Sequence, residues 1–484
     1  MRVPLTRILT LTLAVFLAVP VLTPALAAKE TVTLGSQTVP IDIKKLNLEN
    51  EDVTDYSPLA KLTKLTELDL SREAGKPGGL TDLSVLSELT NLTMLWAPNN
   101  NITDISPLAN LTKLKWLGLG GNPITDLTPL AELTTLVELN LWCEAGTGKL
   151  TDLSVLSRLP NLTYFTLSGH NISDLSPLAN LTKLEALYLD HNQFTDLSPI
   201  ESLTKLTILS VYNNQISDLS PLSGMKGLKE LWLGKNQITD LSPIEPLTKL
   251  TTLYVRDNQI EDISPIAKIK SLKFLGLDSN PIQDFTPLTG LTGLQGLYLD
   301  KTSLSDLTFA SKFTKLKEFW AQFNQIEDLT PLAKLVALEK LALHDNQITD
   351  ISPLTKLIKL QTLDISANSI TDLAPIEKLT KLTEFDCEYN QITDLAPIAK
   401  FTKLQDLSID PNQITDLSVL VSLSALETLK LHSTEPNDLY GIYRDERKTF
   451  TESEWLALEK NPEKAEALIN ELRQALPDCE ITFW

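Results

Sequence analysis

The chain has 484 residues, 42% hydrophobic and 21% charged, so it holds the material for a large core. Its 62 acidic residues against 42 basic ones leave a formal charge of −20, which argues against nucleic acid or an anionic membrane surface as partner, since both call for clustered Lys and Arg. Three cysteines cannot make a disulfide framework, and four histidines leave little for metal or acid–base chemistry.

Residues 1–28 read as a secretory signal peptide. Arg2 and Arg7 form a basic flank, an apolar stretch runs from Ile8 to Leu22, and Ala25-Leu26-Ala27 offers a small-residue cleavage site. No later apolar run is long enough to span a bilayer, so the expectation is a chain that is secreted or displayed at the cell surface. Residues 29–42 follow, in the text "TVTLGSQTVPIDI", and read as a small N-terminal β cap.

From 43 to 434 the text repeats. Asn214, Asn236, Asn258 and Asn280 stand 22 residues apart inside near-identical units such as "LWLGKNQITDLSPIEPLTKL". Relative to that Asn, Leu or an equivalent fills −8, −5 and −3, Ile +2, Asp +4, Pro +7, and Leu +8 and +11. Seventeen units run from Val53 to Ile414; Asn holds its place in 12 and Asp holds +4 in all 17. A fixed period with L-x-x-L-x-L-x-x-N is the leucine-rich repeat, in which each unit gives a short strand, a turn and a return segment. About 17–18 coils at ~4.8 Å per strand make one array near 80 Å long, in place of the three or so domains that length alone suggests. The −5 and −3 side chains point inward, so −6, −4 and −2 point outward. The Asn can bridge backbone groups of neighbouring coils. The +4 Asp precedes "LSPL" or "LTPL", where it can cap a short helical turn whose first positions accept Pro; a calcium column is the alternative use of these carboxylates.

Two units break the period. "REAGKPGG" (Arg72–Gly79) adds five residues and "WCEAGTGK" (Trp142–Lys149) adds four. Both follow the strand and share Glu-Ala-Gly, so both should project from the same rim, as binding loops or as tolerated surface insertions. After Leu431 the pattern stops. Residues 435–484 read as a C-terminal cap: a capping box from Thr451 to Glu454, a helix from Asn461-Pro462 to about Ala475, and "CEITFW" as a candidate final strand.

Units such as "NQITDLSPL" and "NNITDISPLANLTKL" closely resemble the 22-residue repeats of the internalins, secreted bacterial adhesins, and of related bacterial leucine-rich repeat proteins. The resemblance covers about residues 43–434. It implies an α/β solenoid: a right-handed superhelix with a parallel β-sheet on the concave face and 3₁₀ turns on the convex one. The N-terminal segment departs from the helical cap of internalins, and no LPxTG-like sorting signal is found, so wall anchoring is not expected.

The framework leaves the outward strand positions free, and there the aromatic residues gather. Trp96, Trp116, Trp142, Tyr164, Tyr188, Tyr212, Trp232, Tyr254, Phe274, Tyr298 and Trp320 all occupy them, joined by Arg256 as one of few basic groups. Strand propensity accounts for aromatic residues in strands but not for a convex side nearly free of Trp and Tyr. An aromatic side chain buries about 150–250 Å², so even a third of the area of ten approaches one side of a standard protein interface. These residues are the candidate ligand-binding face. Further along, outward positions turn acidic at Asp364, Glu384, Asp386, Glu388, Asp406 and Asp410. They form either a solvated face or a site for a basic segment of the partner.

Catalysis is not expected. Cys143 and His191 share the −1 column two coils apart, near 10 Å by strand spacing, too far for a nucleophile–base pair. Cys387 takes a core position, His170 replaces a ladder Asn, and His344 faces outward beside Asp345 with no third group to complete a triad. No phosphate-binding Gly loop or metal-spaced cluster is present, so neither cofactor nor metal is expected. The sequence thus predicts a monomeric exported binding protein that engages a protein, such as a host or neighbouring-cell surface protein. Carbohydrate binding and a passive role in the envelope are the alternatives.

Overall fold

The structure, a computed structural model, describes residues 30–76, 79–410, 414, 418–431 and 462–483. The expected signal peptide and the Thr451–Glu454 capping box lie outside the described residues.

A two-stranded antiparallel hairpin, β1 (Thr31–Leu34) with β2 (Gln37–Pro40), opens the fold. Gly35 makes the turn at φ 58°, a conformation with little steric cost for a residue lacking Cβ. Val32, Leu34 and Val39 bury one face against the first coil, while Glu51 accepts the Ser36 hydroxyl at 2.9 and 3.0 Å.

Beyond it, nineteen short strands form one parallel sheet, beginning with Lys45–Asn47. Each strand pairs in register with the next coil's, as in Glu230↔Thr252, Leu231↔Leu253 and Trp232↔Tyr254. The sheet is open: the first strand pairs with Glu67–Asp69 and the last, Glu480–Phe483, with Thr428–Leu431. The middle residue of each strand is buried and its neighbours face out, which is the period-2 rule applied to three residues. Leu231, Leu253, Leu275 and Leu297 have no exposed surface. Between strands the chain returns through 3₁₀ turns of three to five residues such as Ser242–Ile244, most with Pro in the first two positions. Their brevity is what i→i+3 hydrogen bonding sustains.

One polar column ties the coils together and a second fixes the turn within each coil. Asn258 Nδ2 donates to the Leu233 and Val255 carbonyls at 3.0 and 2.9 Å, and its Oδ1 accepts from the Ile238 N–H at 3.0 Å. The same pattern recurs at Asn236, Asn280 and Asn346. Backbone groups that a tight turn would leave unpaired in the core are thereby satisfied across coils. His170 does the same work where Asn is missing: Nδ1 accepts from Leu150 N–H at 3.4 Å and Nε2 faces the Leu141 carbonyl at 2.5 Å. That arrangement assigns the neutral tautomer with the proton on Nε2, and burial pushes the imidazole below its ordinary value.

The Asp column closes the second set. Asp240 accepts the Ser242 N–H and hydroxyl, both at 2.7 Å, and Asp104, Asp196 and Asp328 repeat it. The carboxylate acts from one residue ahead of the helical cap position, Leu241 in this coil, so the contact is an Asx turn leading into the 3₁₀ segment. These bonds hold the Asp240 and Asp328 carboxyls below the usual range.

At the far end the helix Pro462–Ala475 packs Ile469 and Leu472 onto the last coil, beside the Ser418–Ser422 turn, before the final strand. Among the described residues no helix is long and apolar enough to cross a membrane.

Candidate functional site

Coil stacking places residues 22 apart side by side on the concave sheet, so outward columns become rows of touching side chains. Trp232 and Tyr254 stack with centroids 4.4 Å apart and planes 8° from parallel. Tyr254 continues to Tyr298 at 5.7 Å, and Tyr298 meets Trp320 edge-on at 5.5 Å. Tyr164 and Tyr188 form a separate pair at 5.4 Å.

Glycine makes the contact from Tyr254 to Tyr298 possible across an intervening strand. Gly276 lies between them in the same column, and a Cβ there would fall 2.4 Å from Tyr254 Cδ1. Gly118 lies under Trp96 in the same way, Gly120 under Trp142, and Gly296 against Phe274 and the Tyr298 hydroxyl. The rings lean over neighbouring strands and cover them. Trp116 is the most exposed Trp of the set at 40%, whereas Tyr254 and Tyr298 retain only 9% and 6%. Treating every ring as available area therefore overestimates the face: Tyr254 and Tyr298 serve as its floor, and Trp96, Trp142, Tyr164, Tyr188, Tyr212, Trp232, Phe274 and Trp320 are half-buried.

Polar groups rim the aromatic strip. Arg256 reaches across Gly234 to donate to the Tyr212 hydroxyl at 2.7 Å, its guanidinium 5.0 Å above that ring. His191 meets the other side of Tyr212 at 5.4 Å and accepts from Asn213 Nδ2 at 2.8 Å. The Tyr298 hydroxyl donates to Glu318 at 2.7 Å, and Glu318 pairs with Lys340 at 3.4 Å. Two carboxylates form a short ladder: Asp278 accepts the Asp300 N–H at 3.1 Å, and Asp300 accepts the Gln322 N–H at 2.7 Å. Burial pushes Asp278 up to about 6; burial and then its neighbour Asp278 push Asp300 up to about 7.

One backbone feature of the rim repeats along the array. The residue before the ladder Asn takes a left-handed conformation in nearly every coil, from Asn99 through Lys235 and Asp257 to Tyr389. Phe323 does so at φ 53°, an uncommon state for a bulky side chain that costs about 1 kcal/mol. It is 37% exposed, with Lys301 4.9 Å above its ring and His344 against its edge at 4.9 Å.

The acidic end differs from the expectation of outward solvent-facing groups. Asp364, Glu388 and Asp410 are buried at 7%, 1% and 8% exposure; Asp386 and Asp406 are half-buried, and Glu384 is exposed. Asp364 sits in a local network. His344, expected to face outward, is itself buried and its Nδ1 contacts the Ser366 hydroxyl at 2.7 Å, which in turn donates to Asp364 at 2.5 Å. The order Asp–Ser–His is not that of a catalytic triad, where the imidazole sits between carboxylate and nucleophile, and Ser366 has no exposed surface. Cys387 is buried in the core as its position implied, and burial pushes its thiol well up.

The insertions are tied into the array. Arg72 is buried and donates to the Glu51 carbonyl at 2.9 Å, and Glu73 N–H donates to Asn50 at 2.8 Å. In the second, Gly148 N–H bonds the Gly169 carbonyl at 3.0 Å while Glu144 to Thr147 stay exposed. A recess of about 390 Å³ lies off the sheet face, on the flank between residues 281–286 and 302–309, where Phe285 and Phe309 stack at 5.6 Å.

Sequence reading found the rings but missed the glycines that seat them, the Asp278–Asp300 ladder and the left-handed column. A usable signal was present: Gly118, Gly276 and Gly296 each follow an aromatic residue by one period in the same column.

Comparison with known proteins agrees with the repeat geometry. A profile of paired leucine-rich repeats matches in overlapping copies over residues 90–132, 160–290 and 336–420. The chain belongs to the leucine-rich repeat family. It is internalin-like: it shares 33% identity with an internalin, inlF, of Listeria monocytogenes, over 71% of this chain and 87% of that one, with a TM-score of 0.46. The leucine-rich repeat protein LIC12759 of Leptospira interrogans is 24% identical over 91% of this chain and 96% of its own, at TM-score 0.52. The plant peptide hormone receptor RGFR1, solved in complex with RGF2, is 20% identical over 84% and 70%, at TM-score 0.58. These last two share the fold. Comparison with curated proteins gives no match.

Proposed function

We propose that this leucine-rich repeat protein is an exported, adhesin-like binding protein whose concave aromatic band engages a protein of a host or neighbouring cell. The observation that carries the reading is the contiguous strip Trp232–Tyr254–Tyr298–Trp320, built on sheet positions where the core makes no demand for rings. Stacked, pre-packed rings lose little side-chain entropy on binding, and Trp and Tyr are enriched where interfaces concentrate their energy. The strip lies on an open sheet, a shape suited to a macromolecule, and the flanking Arg256, Glu318 and Lys340 supply directional polar contacts.

Trp232→Ala and Trp320→Ala test the reading. Each should weaken capture of a surface protein at least tenfold while circular dichroism stays unchanged and glycan arrays stay silent. Selective glycan binding lost in the same variants supports carbohydrate as ligand instead. Binding indifferent to both substitutions overturns the concave site.

A further inference from the structure

Between Met94 and Asp410 charge is divided unevenly along the concave face. At outward strand positions from Met94 to Arg256 the acids are Glu138, Asp190 and Glu230, against one base, Arg256. From Phe274 to Asp410 the same positions carry nine acids, of which Asp364, Glu388 and Asp410 are buried, and a single lysine, Lys340. The boundary falls inside the aromatic strip, which ends at Trp320 beside Glu318. One continuous surface is thus apolar at its middle, and beyond Trp320 it presents Glu384, Asp386 and Asp406 as its accessible acids.

We propose that the partner meets this face with a cationic polypeptide segment, an extended run bearing Arg or Lys that lies across the sheet from Trp320 towards Asp406. The proposal rests on the reading of the concave face as the binding surface. Charge complementarity selects the occupant: a neutral glycan gains nothing from the acids, and a polyanion is repelled by them. Trp320 is half-buried and supplies a ring for an arriving guanidinium. Glu318, two residues before it, is already held by the Tyr298 hydroxyl and Lys340, so the carboxylates that receive the segment are those further along. The protein seats its own cations on the same principle, Arg256 over Tyr212 and Lys301 over Phe323. The strands from Glu318 to Asp406 span four spacings, about 19 Å, which about six extended residues cover.

Octa-arginine is the probe, titrated onto the full chain by fluorescence anisotropy beside octa-glutamate and a neutral Gly-Ser octamer. The test variant is Glu384→Gln/Asp386→Asn/Asp406→Asn; the control, Glu88→Gln/Glu201→Gln/Glu261→Gln, removes equal charge from exposed positions off the sheet. Octa-arginine should bind, weaken at least tenfold in the test variant and less than twofold in the control, and weaken with added salt. No binding, or equal weakening in both variants, overturns the proposal. A protein ligand that depends on Trp232 but ignores the test variant overturns the cationic segment and leaves the concave site standing. A ligand that ignores both removes the site itself.

Discussion

Tyr254 lies across Gly276, so close that a Cβ on the glycine would sit 2.4 Å from the tyrosine Cδ1. The missing side chain lets Tyr254 lean from its stack with Trp232 towards Tyr298, two strands away, and so joins separate rings into one strip. Gly276→Ala should therefore displace the ring without disturbing the coil, because the position faces outward. The expected result is a shifted Trp emission with unchanged far-ultraviolet circular dichroism and a stability loss of about 1–3 kcal/mol or less. Emission identical to the parent's would refute the seating role.

Asn258 tests the ladder. Asn258→Ala orphans the Ile238 N–H in the core and takes one of two amide donors from the Leu233 and Val255 carbonyls, which keep Asn236 and Asn280. An orphaned buried N–H costs about 1–3 kcal/mol, so the loss should exceed that of a typical exposed substitution. Since repeat arrays couple coil to coil, urea unfolding should also lose cooperativity or resolve into two transitions. A midpoint within error of the parent's would show that water replaces the amide.

Asp300 sets a pH dependence whose sign can be worked out. Its folded-state value of about 7 exceeds the ordinary carboxyl value, so the folded chain keeps a proton that the unfolded chain sheds above about pH 4. Its stabilising contribution is complete below that pH and disappears as pH rises through about 7. Asp300→Asn keeps an acceptor for the Gln322 N–H and removes the buried charge. The variant should gain on the order of 1–2 kcal/mol over the parent near pH 8 and nothing near pH 4. Denaturant midpoints at both pH values check it, and an equal effect at both would contradict the assignment.

His170 runs the opposite way. Burial depresses its folded-state value, so its contribution is complete above about pH 6.5 and is lost as pH falls through the lower folded value. His170→Asn installs the residue that other coils use at this position. The variant should match the parent near pH 8 and hold its stability better near pH 5. Parallel pH profiles for the two proteins would show that His170 does not titrate against folding.

Much of this architecture was legible in the residues because each coil states its rule locally and repeats it. The spacing of Leu, Asn and Asp determined the strand, the core face, the cross-coil bridge and an Asp contact at the start of each short turn, since each depends on groups within one period or on the identical group in the next coil. That the Asp acts from an Asx turn and not from the cap position itself was decided by the structure. The final strand and the helix near Pro462 were legible for a similar reason, from helix-start and strand signals within short segments. What tertiary structure decided was which outward side chains remain exposed. Stacking brings residues 22 apart into contact, so exposure depends on pairs the chain separates: Tyr254 with Tyr298, His344 with Ser366, Arg256 with Tyr212. Asp364, placed outward by alternation, is buried beside the His344–Ser366 contact. Alternation fixes only the face on which a side chain starts; where it ends depends on the size and charge of its neighbours on other strands, and a glycine among them matters as much as a ring.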